Sequence, residues 1–198
     1  PAGAAADTIP RVIGERLAKR FGQPFVFENR PGASLNLGSE FVAKAEPDGY
    51  TLLAAPPPPV TINQHLFSNL RFDPSSFTPV SLITRIPMLL LTPATSPAAT
   101  VQELVAWAKA NPGKSNYATT APGFTLPAEL FKLKMGIPAI GITYRSAAEG
   151  AVGLMTGAAS MAFFTPPGIV NLVKEGKLRA LAVTTATRSA DLPDVPTL

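Results

Sequence analysis

The sequence contains no cysteine and a single histidine, His65. The absence of cysteine excludes disulfide bonds, thiol catalysis and cysteine-ligated metals, while it leaves the cellular compartment open. His65 stands in a turn sequence, residues 63–66, without an acidic neighbour, which favours a solvated histidine over a catalytic one. No His, Asp or Glu cluster has metal-ligand spacing, and no nucleophile elbow, phosphate loop or dinucleotide fingerprint occurs. The sequence therefore predicts no catalytic residue, no metal and no cofactor.

Long apolar runs and dense basic clusters are also missing. No stretch approaches the roughly 20 apolar residues of a membrane-spanning helix, and the run 80–91 is short and carries Arg85. The net charge is +4, but the basic residues are scattered and do not form a stripe interleaved with aromatic residues. A nucleic-acid groove needs such a stripe, so no nucleic-acid partner is expected.

The residues that are present indicate a globular α/β protein. Apolar residues make up 46% of the 198 residues and charged residues 15%, which is enough to build a packed core. The 22 prolines are roughly twice the usual share of about 5% and fit many short, stiff turns. Helices are predicted at 8–20, 37–45, 100–110, 127–135, 147–155 and 169–174, and strands at 25–27, 50–55, 88–92, 115–118, 140–144, 160–164 and 178–184. This alternation predicts parallel or mixed sheets flanked by helices.

Two helix starts carry specific signals. Thr100 and Glu103 form a capping-box pattern before the helix that ends at residues 111–113. Asp7 or Thr8 is expected to cap the first helix, because this places Pro10 in the first turn, where proline is tolerated.

The two ends of the sequence predict that the chain is part of a longer protein. Pro1 stands inside a loop with no preceding strand, and residue 198 directly follows a proline-rich turn. No signal peptide is visible. We therefore expect a fragment of a longer protein, truncated at both ends, whose missing parts carried an export signal.

Three motifs near the N-terminus are the most informative part of the sequence: residues 1–8, 28–33 and 46–53. The first is a loop of small residues that leads into a helix. A helix N-terminus presents unpaired N–H groups to an anion, and small side chains let a ligand approach the backbone. Further segments follow in order at 79–82, 111–117, 128–132, 176–183 and 192–197. Over its whole length the chain resembles the solute-binding proteins of tripartite tricarboxylate transporters, the Bug or TctC family.

The resemblance implies both a fold and a function. The fold is a two-lobe periplasmic-binding-protein architecture of type II-like form, with lobe 1 (in part) at 1–92, lobe 2 at 93–183 and a return segment at 184–198. The function is that of a periplasmic receptor that captures an organic carboxylate between its lobes. The implied partners are the carboxylate and the membrane subunits of the transporter, and a monomer is expected.

Candidate ligand residues follow from the loops. Ligands of open parallel sheets bind beyond the C-terminal ends of strands, which here selects the loops 1–8, 55–61, 118–126, 144–149 and 164–168. In the family, such loops hold a carboxylate through backbone amides, hydroxyls and water. Carried over onto this sequence, the predicted ligand-binding residues are Gly3, Ala4, Ala5, Asp7, Thr119, Thr120, Gly123, Thr125, Tyr144 and Ser146. The set is completed by Arg145, Phe124, Phe164 and Thr165. Arg145 is included because a guanidinium can bind a carboxylate through two hydrogen bonds.

Each candidate has a structural alternative. The small residues at 3–6 can be a loose chain end, and Asp7 is favoured as a helix cap that shapes the loop. Arg145 can be a solvated charge at the rim. The threonines can cap a helix, and the ring of Tyr144 can pack against a neighbour.

Several positions depart from the family pattern. Ala4 replaces a glycine, Ser34–Leu35 replaces Gly-Gly, and Pro56–Pro59 replaces a loop rich in Gly, Ser and Thr. Proline has no N–H, so those four residues cannot donate a hydrogen bond to a carboxylate. The loop 118–126 is shorter than usual, and Pro127 stands where the family tends to keep a histidine nearby.

Phenylalanines add apolar bulk near the expected cleft. Phe124, Phe163 and Phe164 lie in or beside its loops, and Phe164 replaces a residue that is commonly aspartate. We hypothesise that the ligand is a larger apolar or aromatic acid, although core packing accounts for these rings equally well. Two other functions stay open: a ligand sensor that feeds a two-component system and, more remotely, a small α/β enzyme.

Overall fold

The computed structural model describes residues 5–198, and the chain divides into two compact units, Pro1–Thr84 and Arg85–Leu198. Residues 85–92 and 184–198 thus belong to the second unit, while the lobe ranges proposed above stay predictions for the receptor. Among residues 5–198, no helix has the length and apolarity that a bilayer crossing requires. Gly3 and Ala4 lie outside the described residues.

The first unit consists of helices and short turns joined by irregular segments. Helix α1 is Ala5–Phe21, α2 is Asn36–Ala43 and α3 is Asn63–Leu66. Single turns of other helix types lie between them at Ala33–Leu35 and Pro58–Ile62, and a third follows α3 at Pro74–Ser76. The predicted helix at 37–45 is thus confirmed as α2.

Two expected strands of this unit are wrong: residues 25–27 and 50–55, all of them described, form no β-strand. Val26 is 92% exposed and Tyr50 91% exposed. A strand needs a neighbouring strand for its backbone hydrogen bonds, and within residues 5–84 no strand is present to pair with either segment. Residues 25–27 instead contact α1 through Phe27, whose ring lies 5.1 Å from the guanidinium of Arg11.

The start of α1 also differs from its prediction. The helix is already formed at Ala5, so Asp7 lies inside its first turn and Pro10 lies inside the helix. The expected cap at Asp7 or Thr8, with Pro10 in the first turn, is therefore wrong. Asp7 still acts at a helix start, because an acidic side chain in the first turn interacts favourably with the helix dipole.

A left-handed turn precedes α2. Ala33, Ser34 and Leu35 have φ values of 47°, 55° and 75°, which residues with a side chain rarely adopt. The turn is held from inside the unit by Asn63, which is completely buried. The side-chain amide of Asn63 donates to the carbonyl of Ser34 at 3.0 Å and to Oδ1 of Asn36 at 2.7 Å. Glycine is the residue that adopts this backbone freely, which explains why Gly-Gly suits positions 34 and 35.

The second unit is a five-stranded mixed sheet covered by helices. Its strands are β1 (Leu89–Pro93), β2 (Asn116–Thr119), β3 (Ile140–Thr143), β4 (Met161–Phe164) and β5 (Leu178–Val183), in the order β3-β2-β4-β1-β5. Strand β2 is parallel to both β3 and β4, whereas β1 is antiparallel to β4 and β5. Its helices are α4 (Val101–Ala110), α5 (Pro122–Met135), α6 (Ala147–Met155) and α7 (Val170–Lys174). The predicted α/β class is confirmed.

The core has one layer on each face of this sheet. Alternate residues of a strand point to opposite faces, so Phe163 packs with α4 and α5 and Phe164 packs with α6. Thr100 accepts a hydrogen bond from the N–H of Glu103, whose carboxylate accepts one in return. The predicted capping box of α4 is confirmed.

One helix of this unit begins earlier than predicted. Helix α5 starts at Pro122, not near Pro127, and Pro127 lies inside it. Gly123, Phe124 and Thr125 therefore belong to its first turns and not to a loop. Proline at the first position of a helix is favourable, because the N–H it lacks has no acceptor there.

Candidate functional site

Three parallel strands end at one edge of the second unit's sheet. Thr119 of β2 is in register with Thr143 of β3, and Ala118 of β2 is in register with Ala162 of β4. The segments that follow these strands, at 120–121, 144–146 and 165–169, therefore leave the sheet side by side. This carboxyl edge brings together the predicted site residues between 119 and 165 and places the starts of α5 and α6 beside them.

At the start of α5, two threonine hydroxyls are in contact. Thr119 is 5% exposed, and its Oγ1 lies 2.7 Å from Oγ1 of Thr125. Thr125 in turn donates to the carbonyl of Ala121 at 3.1 Å. Both hydroxyls thus have protein partners, but no side chain caps the start of α5, so the capping alternative does not describe these threonines. Gly123 lies in the first turn, where backbone N–H groups have no intrahelical acceptor.

At the start of α6, Ser146 is the N-cap residue. Its hydroxyl oxygen accepts a hydrogen bond from the N–H of Glu149 at 3.2 Å, which leaves its own proton available as a donor. Glu149 accepts from the backbone N–H of Arg145 at 2.9 Å. The Arg145 side chain is 94% exposed and its Nε lies 3.7 Å from Glu149, so the guanidinium extends into solvent.

Two aromatic rings reach α6 at positions occupied by glycine. Tyr144 lies against Gly153, and Phe164 lies against Gly150, where an added Cβ would stand 2.6 Å from Cζ of the phenyl ring. The glycines allow this close approach because they have no Cβ. Tyr144 also donates its backbone N–H to the carbonyl of Thr119 at 2.8 Å, which joins the exits of β2 and β3.

The phenylalanines differ in exposure. Phe163 and Phe164 are buried, with 1% and 0% exposed. Phe124 is half-buried at the carboxyl edge, and its ring packs edge-on against Phe164 at a centroid distance of 5.7 Å. Phe163 and Phe164 are core side chains here, whereas Phe124 is accessible from solvent.

The first unit holds the remaining candidates. Ala5 and Asp7 lie in α1, and the carboxylate of Asp7 is nearly buried. That carboxylate accepts from Nε of Arg11 at 2.7 Å and from Nδ2 of Asn29 at 2.9 Å. Asp7 thereby ties the first motif of the sequence to the second, as a residue that shapes the loop.

Two half-buried threonines, Thr120 and Thr165, directly follow β2 and β4. They stand at the carboxyl edge as predicted. A ligand contact by any of the fourteen predicted residues stays a prediction.

A titrating cluster lies on the α5 side of β2. The Tyr117 hydroxyl donates to Glu129, which also forms an ion pair with Lys132 at 2.6 Å. Burial raises the pKa of Tyr117 well above its usual value, and the adjacent carboxylate raises it further. The hydrogen bond from Lys132 is the main cause of the lowered pKa of Glu129. The cluster stabilises the contact between β2 and α5.

Sequence reasoning missed Glu149 and the two glycines of α6. Ser146 and Glu149 have the Ser-x-x-Glu spacing that identified the start of α4, so this signal was available. Gly150 and Gly153 had no comparable signal, because their role depends on rings contributed by other strands. Among residues 5–198, no group of three or more His, Cys, Asp or Glu residues is placed to hold a metal ion.

Comparison with known proteins matches one family model to nearly the whole chain. The model of the tripartite tricarboxylate transporter family receptor matches residues 9–198. BugT of Bordetella pertussis is 32% identical over 202 residues, which cover 100% of this chain and 62% of BugT. A second Bordetella pertussis relative is 32% identical over 197 residues, which cover 98% of this chain and 61% of that protein. The chain thus spans about three-fifths of the length of these curated relatives.

Solved structures give the same result. R. palustris Rpa4515 with adipate has a TM-score of 0.82 and 33% identity, covering 100% of this chain and 67% of Rpa4515. MatC (Rpa3494) from Rhodopseudomonas palustris with bound malate has a TM-score of 0.78 and 28% identity, covering 100% of this chain and 68% of MatC. The periplasmic binding protein BugD has a TM-score of 0.73 and 27% identity, covering 100% of this chain and 67% of BugD.

Proposed function

The chain belongs to the tripartite tricarboxylate transporter receptor family, and from this premise we propose that it is part of a periplasmic solute-binding receptor. The receptor captures an organic carboxylate and delivers it to the membrane subunits of the transporter. The observation that carries the proposal is the carboxyl edge of β2, β3 and β4, where two helix starts and several hydrogen-bond donors stand together. Enclosure of the ligand between two lobes stays a prediction from the family resemblance.

The donors at this edge suit a carboxylate. Arg145 offers an exposed guanidinium, and the Ser146 hydroxyl, whose oxygen accepts from Glu149, has a proton that it can donate. The first-turn N–H groups of α5 and α6, including that of Gly123, add partial positive charge from two helix dipoles. Fixed dipoles of this kind bind an anion without chemistry, and they release it when the site opens.

Two neighbours of known structure support a carboxylate ligand. Rpa4515 was solved with adipate and MatC with malate, and both molecules are small dicarboxylates. Adipate has a longer apolar chain than malate. The half-buried ring of Phe124 lies at the carboxyl edge, which supports a ligand with an apolar segment. The burial of Phe164 leaves Phe124 as the ring that carries this preference.

A thermal-shift screen tests the proposal. The protein is heated with aliphatic, aromatic and amino-acid carboxylates and, in parallel, with the primary amide of each acid. A ligand at a hundred times its Kd adds about 2.7 kcal/mol of stability, a shift of roughly 5–10 °C for a chain of this size. We expect shifts with acids and none with their amides. Equal shifts with both, or no shift with any acid, would overturn the proposal.

A matched pair of arginine variants tests whether the carboxylate binds at Arg145. Arg145→Gln is expected to weaken acid binding several-fold, because a charged donor is lost while the fold is kept. Arg71→Gln removes the same charge from an exposed position of the first unit and is expected to leave affinity unchanged. If both variants bind alike, the carboxylate does not reach Arg145.

A further inference from the structure

The outer edge of strand β3 is paired with no strand of residues 5–198. β3 is the end strand of the order β3-β2-β4-β1-β5. The N–H groups of Ile140 and Tyr144 donate to carbonyls of the segment 115–119 on the β2 side. The backbone groups of alternate residues point to opposite sides of a strand. Those of Gly141 and Thr143 therefore point away from the sheet, and both residues are exposed.

This edge lacks the usual protection against pairing. Edge strands of natural proteins commonly carry a charged side chain, a proline or a bulge, which prevents another strand from joining them. β3 reads Ile-Gly-Ile-Thr and has none of these, since its register with β2 is regular. Ile140 is in addition 70% exposed. The edge is thus a template for a further strand.

Helix α5 adds an exposed apolar stripe. Leu126 and Leu130 are 51% exposed and Leu133 is 79% exposed, and their spacing places them on one side of the helix. The core side of α5 is a different one, formed by the buried residues Ala128 and Phe131. A surface helix needs a single apolar side to pack on its own domain, so the leucine stripe is available for a second contact.

The leucine stripe and the β3 edge form one surface. Glu129, next to Leu130, accepts a hydrogen bond from the Tyr117 hydroxyl. That hydroxyl lies over β3, where a Cβ added to Gly141 would stand 2.7 Å from it. A groove runs along this side of α5 as far as Gly136, lined by the leucine stripe together with Glu129 and Lys132.

Charge indicates which partner fits this surface. Neither β3 nor the leucine stripe contains a charged residue. The two charged residues that line the groove, Glu129 and Lys132, neutralise one another at 2.6 Å. A strongly charged partner would find no counter-charge here, whereas two copies of the surface meet without like-charge repulsion. A second copy also brings an identical unpaired edge.

We propose that this surface joins two copies of the chain by antiparallel pairing of their β3 edges. A twofold axis at Ile142 sets Gly141 of one copy opposite Thr143 of the other, and each such pair exchanges two hydrogen bonds. The two five-stranded sheets become continuous, and both α5 stripes lie on the same face and cover the paired strands. This dimer replaces the monomer expected from the family resemblance, and its argument is independent of the carboxylate site.

The size of the surface predicts a reversible dimer. A standard interface buries about 800 Å² per partner, and one side of a helix with one short strand supplies less. Association is therefore measured over a wide range of protein concentration by sedimentation equilibrium. We expect the mean mass to rise from the 20.7 kDa of one chain towards twice that value.

Lysine substitutions locate the interface. Leu126→Lys and Ile140→Lys each put a charge into the paired surface, and we expect each to weaken association at least about tenfold, because an unpaired charge is costly to bury. Both side chains are exposed in the single chain, so the fold is kept. Leu52→Lys is the matched control, since Leu52 is 60% exposed in the first unit, and it is expected to leave association unchanged.

Cysteine cross-linking tests the register. The chain has no cysteine of its own, so one introduced thiol is unique. In Ile142→Cys the two thiols meet at the twofold axis, where the Cα atoms of such a pair are about 4.5 Å apart, within the range of a disulfide. In Ile140→Cys the two thiols are offset by four residues, about 13 Å along the strands. We expect mild oxidation to give a covalent dimer with Ile142→Cys and little with Ile140→Cys, although residue 140 is the more exposed.

Several results would overturn the inference. A mass that stays at one chain at every concentration excludes the dimer, and a partner protein found on the β3 edge of such a monomer would be the true occupant. Loss of association in Leu52→Lys alone would assign the interface to the first unit. Equal cross-linking of the two cysteine variants would contradict the register. None of these results changes the thermal-shift test of carboxylate binding, so the two proposals fail separately.

Discussion

Replacing Ser34 by glycine is expected to stabilise the protein. Ser34 is the middle residue of the left-handed turn before α2, with φ 55° and ψ 39°. A residue with a side chain pays about 1–2 kcal/mol for this backbone, whereas glycine adopts it without a steric penalty. The Ser34 contact with Asn63 uses the backbone carbonyl, which glycine retains. Ser34 is exposed, so the substitution removes little packing.

The expected change in the free energy of unfolding is the difference between a folded-state gain and an unfolded-state cost. Relief of the left-handed backbone contributes about 1–2 kcal/mol. Glycine also gives the unfolded chain more freedom, which opposes folding by about 0.4–1 kcal/mol. The net gain is about 0–1.6 kcal/mol, and its central value of about 0.8 kcal/mol raises Tm by about 2–3 °C for a chain of this length.

Urea and thermal unfolding measure this gain against two controls. Ser81→Gly alters an exposed serine outside the left-handed region, so only the unfolded-state term acts and the protein is destabilised. Ser34→Ala keeps the left-handed cost and is expected to give no stabilisation. If Ser34→Gly destabilises the protein by as much as Ser81→Gly, the left-handed backbone at Ser34 costs no stability and the reasoning is refuted.

Two further predictions concern the second unit. Glu129→Gln should lower stability by at most about 1 kcal/mol near pH 7. The contact with Lys132 lowers the pKa of Glu129 below its usual 4.5. The stabilisation by Glu129 is therefore fully present above pH 4.5 and is lost as the pH falls through the folded-state pKa. Urea titrations at pH 7 and pH 3 measure the difference between Glu129→Gln and the unsubstituted protein, and an equal difference at both pH values would contradict the prediction. Gly150→Ala should lower Tm, because the new methyl group overlaps Phe164 at a cost of about 1–3 kcal/mol. Gly113→Ala enters open space and should leave Tm unchanged or slightly raised, so a Tm rise in both variants would show that Phe164 yields freely.

Most elements of the second unit are predictable from local sequence, because they have their own start and stop signals, whereas the start of α5 was missed. Helix α6 was expected at 147–155 and lies at Ala147–Met155. Helix α4 is fixed by its capping box. Strands β1 to β5 all lie within a residue or two of their predicted ranges. Capping and turn signals act over three to five residues, so they are visible without knowledge of the fold.

Segments that depend on distant partners were not predictable in this way. Residues 25–27 and 50–55 have the composition of strands, yet they form none, because a strand is stable only beside another strand. Pro10 and Pro127 were expected in first turns but lie inside helices. The surrounding structure outweighs a local preference there.

The sequence by itself determined the α/β class, the second unit's elements, the family resemblance and the candidate residues at strand ends. Only the tertiary structure decided that Thr119, Tyr144 and Thr165 share one edge, because the strand order β3-β2-β4 is not the order of the chain. It also decided that Phe164 is buried while Phe124 is partly exposed. Strand order and burial arise from contacts between residues far apart in sequence, so no local pattern records them.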